Sequence, residues 1–179
     1  MKAAMRSAAA LAALALCAFA EPPIVATATQ DEEGKLSPIA EVIDARTLRI
    51  GDQKVRLWGY DAPEPGARCF WDGKPYDCHA DAVEKLRELV TDAEAIRCEP
   101  KSREEGVVVA RCAVTTIERV YTHENERVDD LAFELIQEGL GVEVVSESGG
   151  AYDKATRTAK ASFAGVWNGG EWVAARRGR

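Results

Sequence analysis

The stretch VIDARTLRIGDQKVRLWGYDAPE, Val42 to Glu64, constrains the fold of this chain more than any other. Its β-branched and apolar residues fall into two runs around a turn signal. Val42, Ile43, Leu48 and Ile50 predict a first strand, Gly51-Asp52 a turn, and Val55 to Trp58 a second strand. The second strand runs into Gly59-Tyr60-Asp61-Ala62-Pro63-Glu64, a sharp charged turn. Asp44 and Arg46 precede it, Arg56 sits on the returning strand, and Asp61 and Glu64 come after. A closed hairpin brings these charges to one sheet end, where a phosphate or a metal could bind.

Periodicity divides the rest of the chain. Ala80, Val83, Leu86 and Val90 recur at helical spacing and predict an amphipathic helix from about His79 to Val90. Ala95 to Cys98 and Val107 to Val114 read as strands joined by the polar loop Glu99 to Gly106, with Val107-Val108-Val109-Ala110 strongly β-prone. Val128 to Glu138 predicts a second helix, Leu140 to Val145 a short strand, and Tyr152 to Ala164 a third helix. Short strands, an interposed helix and two closing helices predict an α+β domain on a small barrel core. A five-stranded OB-fold β-barrel with three helices fits the length.

Composition marks four segments. Residues 1–20 carry Lys2 and Arg6, an apolar core and the small-x-small end Ala18-Phe19-Ala20, and read as a cleaved signal peptide. Cys17 raises a lipoprotein as the rival, but the bulky Leu16 precedes it. Residues 21–38 read as a flexible linker, 39–170 as the folded domain, and 171–179 as a basic tail. The predicted location is periplasmic or extracellular, with no integral membrane segment after cleavage. Two of the 23 basic residues and none of the 30 acidic ones lie in residues 1–20, so 21 cations face 30 anions afterwards, a net charge of −9. Tight nonspecific binding of nucleic acid needs a surplus of cations, so DNA or RNA is expected as a weak partner at most. No protein partner can be named from the sequence.

Cys69, Cys78, Cys98 and Cys112 remain after the leader. An even count in a secreted chain predicts two disulfides, paired Cys69–Cys78 and Cys98–Cys112 because each pair spans a turn or hairpin. Zinc is the rival, but neither pair has C-x-x-C spacing and His79 is the one histidine near them.

The run Arg56-x-x-x-x-Asp61-x-Pro63-Glu64 resembles the staphylococcal (thermo)nuclease family. Val-Ile-Asp44-Ala45-Arg46-Thr47-Leu48 is similar to the family's V-x-D-G-D-T-L. Gly106 to Cys112 falls on its Y-G-R-x-x-A, and Leu135 to Val142 with Tyr152 to Trp167 on its closing helices and G-x-W. The resemblance covers about residues 38–170. It implies an OB-fold barrel with three helices and calcium-dependent hydrolysis of DNA and RNA phosphodiesters. By position it implies Arg56 as the arginine that holds the scissile phosphate and Glu64 as the carboxylate acting on the attacking water. Asp61 becomes a calcium ligand, with the Ala62 carbonyl as another.

Two positions depart from the pattern. Arg46 stands where the family has a second calcium aspartate, and Val107 where it has a second catalytic arginine. A unit charge about 4 Å from a dication, at an effective dielectric near 20, is worth roughly 8 kcal/mol. Weak extracellular calcium sites are worth only about 4–5.5 kcal/mol. An arginine left in place outweighs such a site, so no cofactor is expected unless Arg46 swings away. Losing the second arginine costs about 10²–10³ in rate, with Arg103 and Arg111 as the conceivable substitutes. Activity is therefore expected to be weak or lost, and a non-catalytic binding or scaffolding module is the alternative. Structural readings stand beside these roles: Arg56 as an ion-pair partner of Asp61 or Glu64, Arg46 paired with Asp61, and His79 and His123 as solvent-exposed or helix-start residues.

Overall fold

The computed structural model describes residues 21–29, 37–120 and 123–168. The expected signal peptide and the basic C-terminal tail lie outside the described residues. The described residues form eleven strands and four α-helices: β1 (Ile24–Thr27), β2 (Glu41–Asp44), β3 (Thr47–Ile50), β4 (Gln53–Leu57), β5 (Tyr60–Asp61), β6 (Arg68–Trp71), β7 (Lys74–Asp77), α1 (Cys78–Thr91), β8 (Ala95–Glu104), β9 (Val107–Val120), β10 (His123–Asp130), α2 (Leu131–Gln137), β11 (Val142–Glu143), α3 (Val145–Ser148) and α4 (Asp153–Ala161). A short 3-10 turn, Gly165–Trp167, ends the described chain. The class is mixed α+β, with four helices where the sequence predicts three.

The main sheet runs β1-β8-β9-β4-β3-β2, with β10 also paired to β9. All its pairs are antiparallel except β4 with β9. No ladder joins β1 to β2 among the described residues, so the path is open.

The stretch from Val42 to Glu64 folds into three main-sheet strands rather than the two expected. Asp44 Oδ1 accepts the Arg46 amide at 2.9 Å and turns the chain at Ala45–Arg46, splitting the first run into β2 and β3. Val55 and Leu57 on β4 point inward and are fully buried, so alternation sends Lys54 and Arg56 to the outer face. The inward set meets Leu48, Ile96, Cys98, Val108, Cys112 and Val114 from the sheet and Leu86, Leu131 and Leu135 from the helices. A smaller cluster joins Cys69, Cys78 and Val166.

Other boundaries moved for physical reasons. Ile24 to Thr27, inside the stretch read as a linker, forms β1 on the β8 edge, where its β-branched residues suit a strand. Residues 65–78, which show no strand or helix periodicity, contain the β6–β7 hairpin, pinned by the disulfide Cys69–Cys78. The polar loop expected from Glu99 continues as strand to Glu104, and the chain turns at Glu105 and Gly106, both at positive φ. Val128 to Asp130 belong to β10 rather than to a helix. Asp130 caps α2 instead, accepting the Phe133 amide at 3.0 Å, a contact worth about 1 kcal/mol. Asp77 caps α1 in the same way through the His79 and Ala80 amides. The second disulfide joins Cys98 and Cys112, opposite each other on β8 and β9. Among the described residues no helix is long and apolar enough to cross a membrane.

Candidate functional site

Arg46 occupies the turn between β2 and β3, its carbonyl accepting the Leu57 amide at 2.9 Å and so fixing the turn against β4. Its guanidinium Nη1 donates to Asp61 Oδ1 at 2.9 Å. Asp61 lies on β5, which pairs with β11, and is nearly buried. The carboxylate that the nuclease resemblance assigns to calcium therefore faces a fixed cation. Glu64, three residues on, is exposed and forms no hydrogen bond or ion pair with Arg46 or Arg56 among the described residues.

Arg56 is engaged elsewhere, and with neither Asp61 nor Glu64. Its Nη2 donates to Glu147 Oε1 at 3.0 Å and its Nη1 to Glu147 Oε2 at 3.3 Å, a two-point fork. Nη2 also reaches Glu104 at 3.2 Å from the end of β8. Glu147 sits on α3, whose position is fixed by Gly59: the Gly59 amide donates to Glu147 Oε2 at 2.9 Å and its carbonyl accepts the Val144 amide. Gly59 has φ +68, and a Cβ there would stand 2.8 Å from the Ser148 Cβ and 2.9 Å from the Tyr152 ring, so only glycine fits.

Two concavities flank Arg46. A groove of about 810 Å³ is lined by Arg46, Thr47, Lys54, Arg56, Glu104, Glu105 and Val107 on one side. A pocket of about 330 Å³ is lined by Asp44, Arg46, Ala62, Glu64, Pro65 and His79 on the other. Around both stand three cations (Arg46, Lys54, Arg56) and six carboxylates (Asp44, Asp61, Glu64, Glu104, Glu105, Glu147), a formal charge of −3 with His79 left out. No group of three or more His, Cys, Asp or Glu side chains among the described residues has the arrangement of a metal site. The residues present do not fit calcium, because a guanidinium already meets Asp61.

No family model matches the chain. Over 143 residues it is 30% identical to the succinoglycan biosynthesis protein ExoI of Rhizobium meliloti (strain 1021), a match covering 76% of this chain and 68% of that protein. The chain belongs to the ExoI family.

In this member of the ExoI family the candidate replacements for the missing arginine are also engaged. Arg103 pairs with Glu21 at 2.8 Å. Arg111 donates to Asp130 at 2.6 Å and lies 6.0 Å from the Tyr152 ring centre. Neither lines the groove, and Val107 borders it without a charge. His79 does line a pocket, at the start of α1, and its Nδ1 lies 2.7 Å from the Pro63 carbonyl. A carbonyl only accepts, so Nδ1 carries a proton, and Nε2 is the acceptor of the neutral ring. His123 opens β10 and is exposed. Sequence reasoning missed Glu147 and Glu104 as site residues. Glu147 is 91 residues from Arg56 with no motif around it, and Glu104 sits in an acidic run that reads as a solvated hairpin end.

Proposed function

We propose that this ExoI-family chain is a secreted or periplasmic, thermonuclease-like OB-fold protein in which hydrolysis of nucleic-acid phosphodiesters is weak or lost. The barrel reading is supported by the meander β2-β3-β4 and by the return of the chain to lay β9 parallel to β4, as a five-stranded Greek key requires. Export is supported by residues 1–20 and by two disulfides, which persist in oxidising compartments.

The observation that carries the loss of activity is the 2.9 Å contact between Arg46 Nη1 and Asp61 Oδ1. It puts a cation where the resemblance puts a dication. The fork from Glu147 adds to it, because a phosphate reaching Arg56 must displace two carboxylates. The test is digestion of DNA and RNA with millimolar calcium, beside an Arg56→Ala control. Little or no cleavage above that control is expected, and strong calcium-dependent cleavage abolished by Arg56→Ala would overturn the reading.

A second reading is favoured by the charge count of −3 around the two concavities. Such a surface repels polyanions and suits an uncharged ligand. The relative is named for succinoglycan biosynthesis, and we extend that name to this chain as a non-catalytic module binding saccharide chains.

A further inference from the structure

We infer that the pocket beside Arg46, together with Trp71 on the hairpin that joins Pro65 to His79, binds an uncharged stretch of a saccharide chain. The inference rests on the saccharide-binding reading and gives it a site.

The polar groups of this pocket are largely open, whereas Arg56 and Glu104 in the groove are tied to each other. Among the described residues the Glu64 carboxylate has no hydrogen-bond or ion-pair partner. His79 is oriented by Pro63, and its Nε2 has no hydrogen-bond partner among the described residues. Arg46 gives Nη1 to Asp61 and keeps Nε and Nη2 as donors. The wall therefore offers both acceptors and donors within about 330 Å³, at the small end of ligand pockets. A hydroxyl both donates and accepts and can be satisfied by either. A phosphate only accepts and would meet Asp44 and Glu64. A cation would meet Arg46. A neutral polyol is the ligand class that meets no like charge here, and Ala62 and Pro65 offer its C–H faces an apolar contact.

The hairpin supplies the second contact. Pro65 and His79 both line the pocket, and β6 and β7 lie between them in sequence. Strands of four residues reach about 13 Å from that root, so a ligand touching both ends is an oligosaccharide. The Cys69–Cys78 bond and the left-handed Asp72-Gly73 tip fix the hairpin's shape before any ligand arrives, which lowers the ordering cost of binding. Trp71 is 69% exposed, an indole held in water on a braced support, with Lys74 as its cross-strand neighbour. A flat apolar face with a polar edge is suited to stacking on a sugar ring.

The test is calorimetric titration of the full chain with cellotetraose and laminaritetraose, and with a short single-stranded DNA oligonucleotide, repeated on Trp71→Ala and Glu64→Ala. Both side chains are exposed, so both variants should fold, and circular dichroism checks this. At least one tetrasaccharide should bind the wild type, and each substitution should weaken it about tenfold. Tetrasaccharide binding that survives both substitutions keeps the saccharide reading and overturns the site. Absence of binding by both tetrasaccharides overturns the reading and the site together. Tighter binding of the oligonucleotide than of either tetrasaccharide, strengthened in Glu64→Ala, overturns both in favour of nucleic acid.

Discussion

Glu147 holds Arg56 with both carboxylate oxygens, at 3.0 and 3.3 Å, and its Oε2 also accepts the Gly59 amide at 2.9 Å. One side chain thus ties β4, the turn after it and α3 together. It also closes the one guanidinium that the sequence marks for a phosphate.

Glu147→Ala should destabilise the fold by about 1–3 kcal/mol, because Gly59 and Arg56 both lose a partly buried acceptor. Glu147→Gln should recover part of this, since its amide oxygen can still accept from Gly59. Urea denaturation of the three proteins measures the difference. Equal midpoints would mean that water replaces the carboxylate without loss.

Alkali should unfold this protein through two tyrosines. Burial pushes the Tyr60 hydroxyl far above the usual tyrosine range, and its proton is given to the Leu140 carbonyl at 2.9 Å. Tyr152 is pushed up by burial and then by the Asp130 carboxylate. Unfolded tyrosines lose protons near pH 10 while the folded ones keep them, so the folded state holds more protons in alkali. Stability is therefore intact below about pH 10 and should fall above it by up to about 2.7 kcal/mol per pH unit for the two groups. Tyr60→Phe cannot ionise and should roughly halve that slope, as read from urea midpoints at successive pH values.

How far the fold was legible in the sequence depends on the range of the forces involved. The turn at Gly51-Asp52, the body of α1 and both disulfide pairs rest on local pattern and on cysteine spacing, and all are present. The break at Asp44–Arg46 was hidden because Val42, Ile43, Leu48 and Ile50 read as one strand, and the Asp44 side-chain bond that splits it leaves no periodic trace. β1 was hidden because its partner, β8, lies about 70 residues away and a lone strand in a polar segment has no local mark. Arg46 facing Asp61 was readable as an alternative, since a misplaced charge beside a carboxylate has few other places to go. The Glu147 fork was not readable, because long-range pairing of common residues carries no sequence signal.

The two disulfides should fail differently. Loops of 9 and 14 residues' separation give each about 2.5–3 kcal/mol in the chain-entropy model. Cys98–Cys112 lies within the main core and bridges β8 to β9, so Cys98→Ala with Cys112→Ala should lower the melting temperature of the whole domain. Cys69–Cys78 belongs to the smaller cluster beside Val166. Cys69→Ala with Cys78→Ala should chiefly release the β6–β7 hairpin, seen as faster protease cleavage within residues 66–77. Equal cleavage rates in the two double variants would contradict this separation.

Restoring the nuclease pattern tests whether Arg46 and Val107 account for the expected loss. Arg46→Asp removes the cation from Asp61 and adds a carboxylate at the same turn, so that Asp61 and the new side chain face each other with Asp44 nearby. Val107→Arg puts a cation on the groove wall close to Glu104 and Glu105, which would compete for it. A site with a dissociation constant near 1 mM, supplied with calcium at about ten times that level, stabilises the folded state by about 1.4 kcal/mol. The double variant should therefore melt several degrees higher with calcium than with magnesium at equal ionic strength, while the wild type should not distinguish the two ions. Cleavage should appear only if Arg56 is also freed, so adding Glu147→Gln to the double variant should raise activity above the double variant alone. A folded triple variant that binds calcium yet cleaves nothing would place the defect beyond Arg46, Val107 and the Glu147 fork.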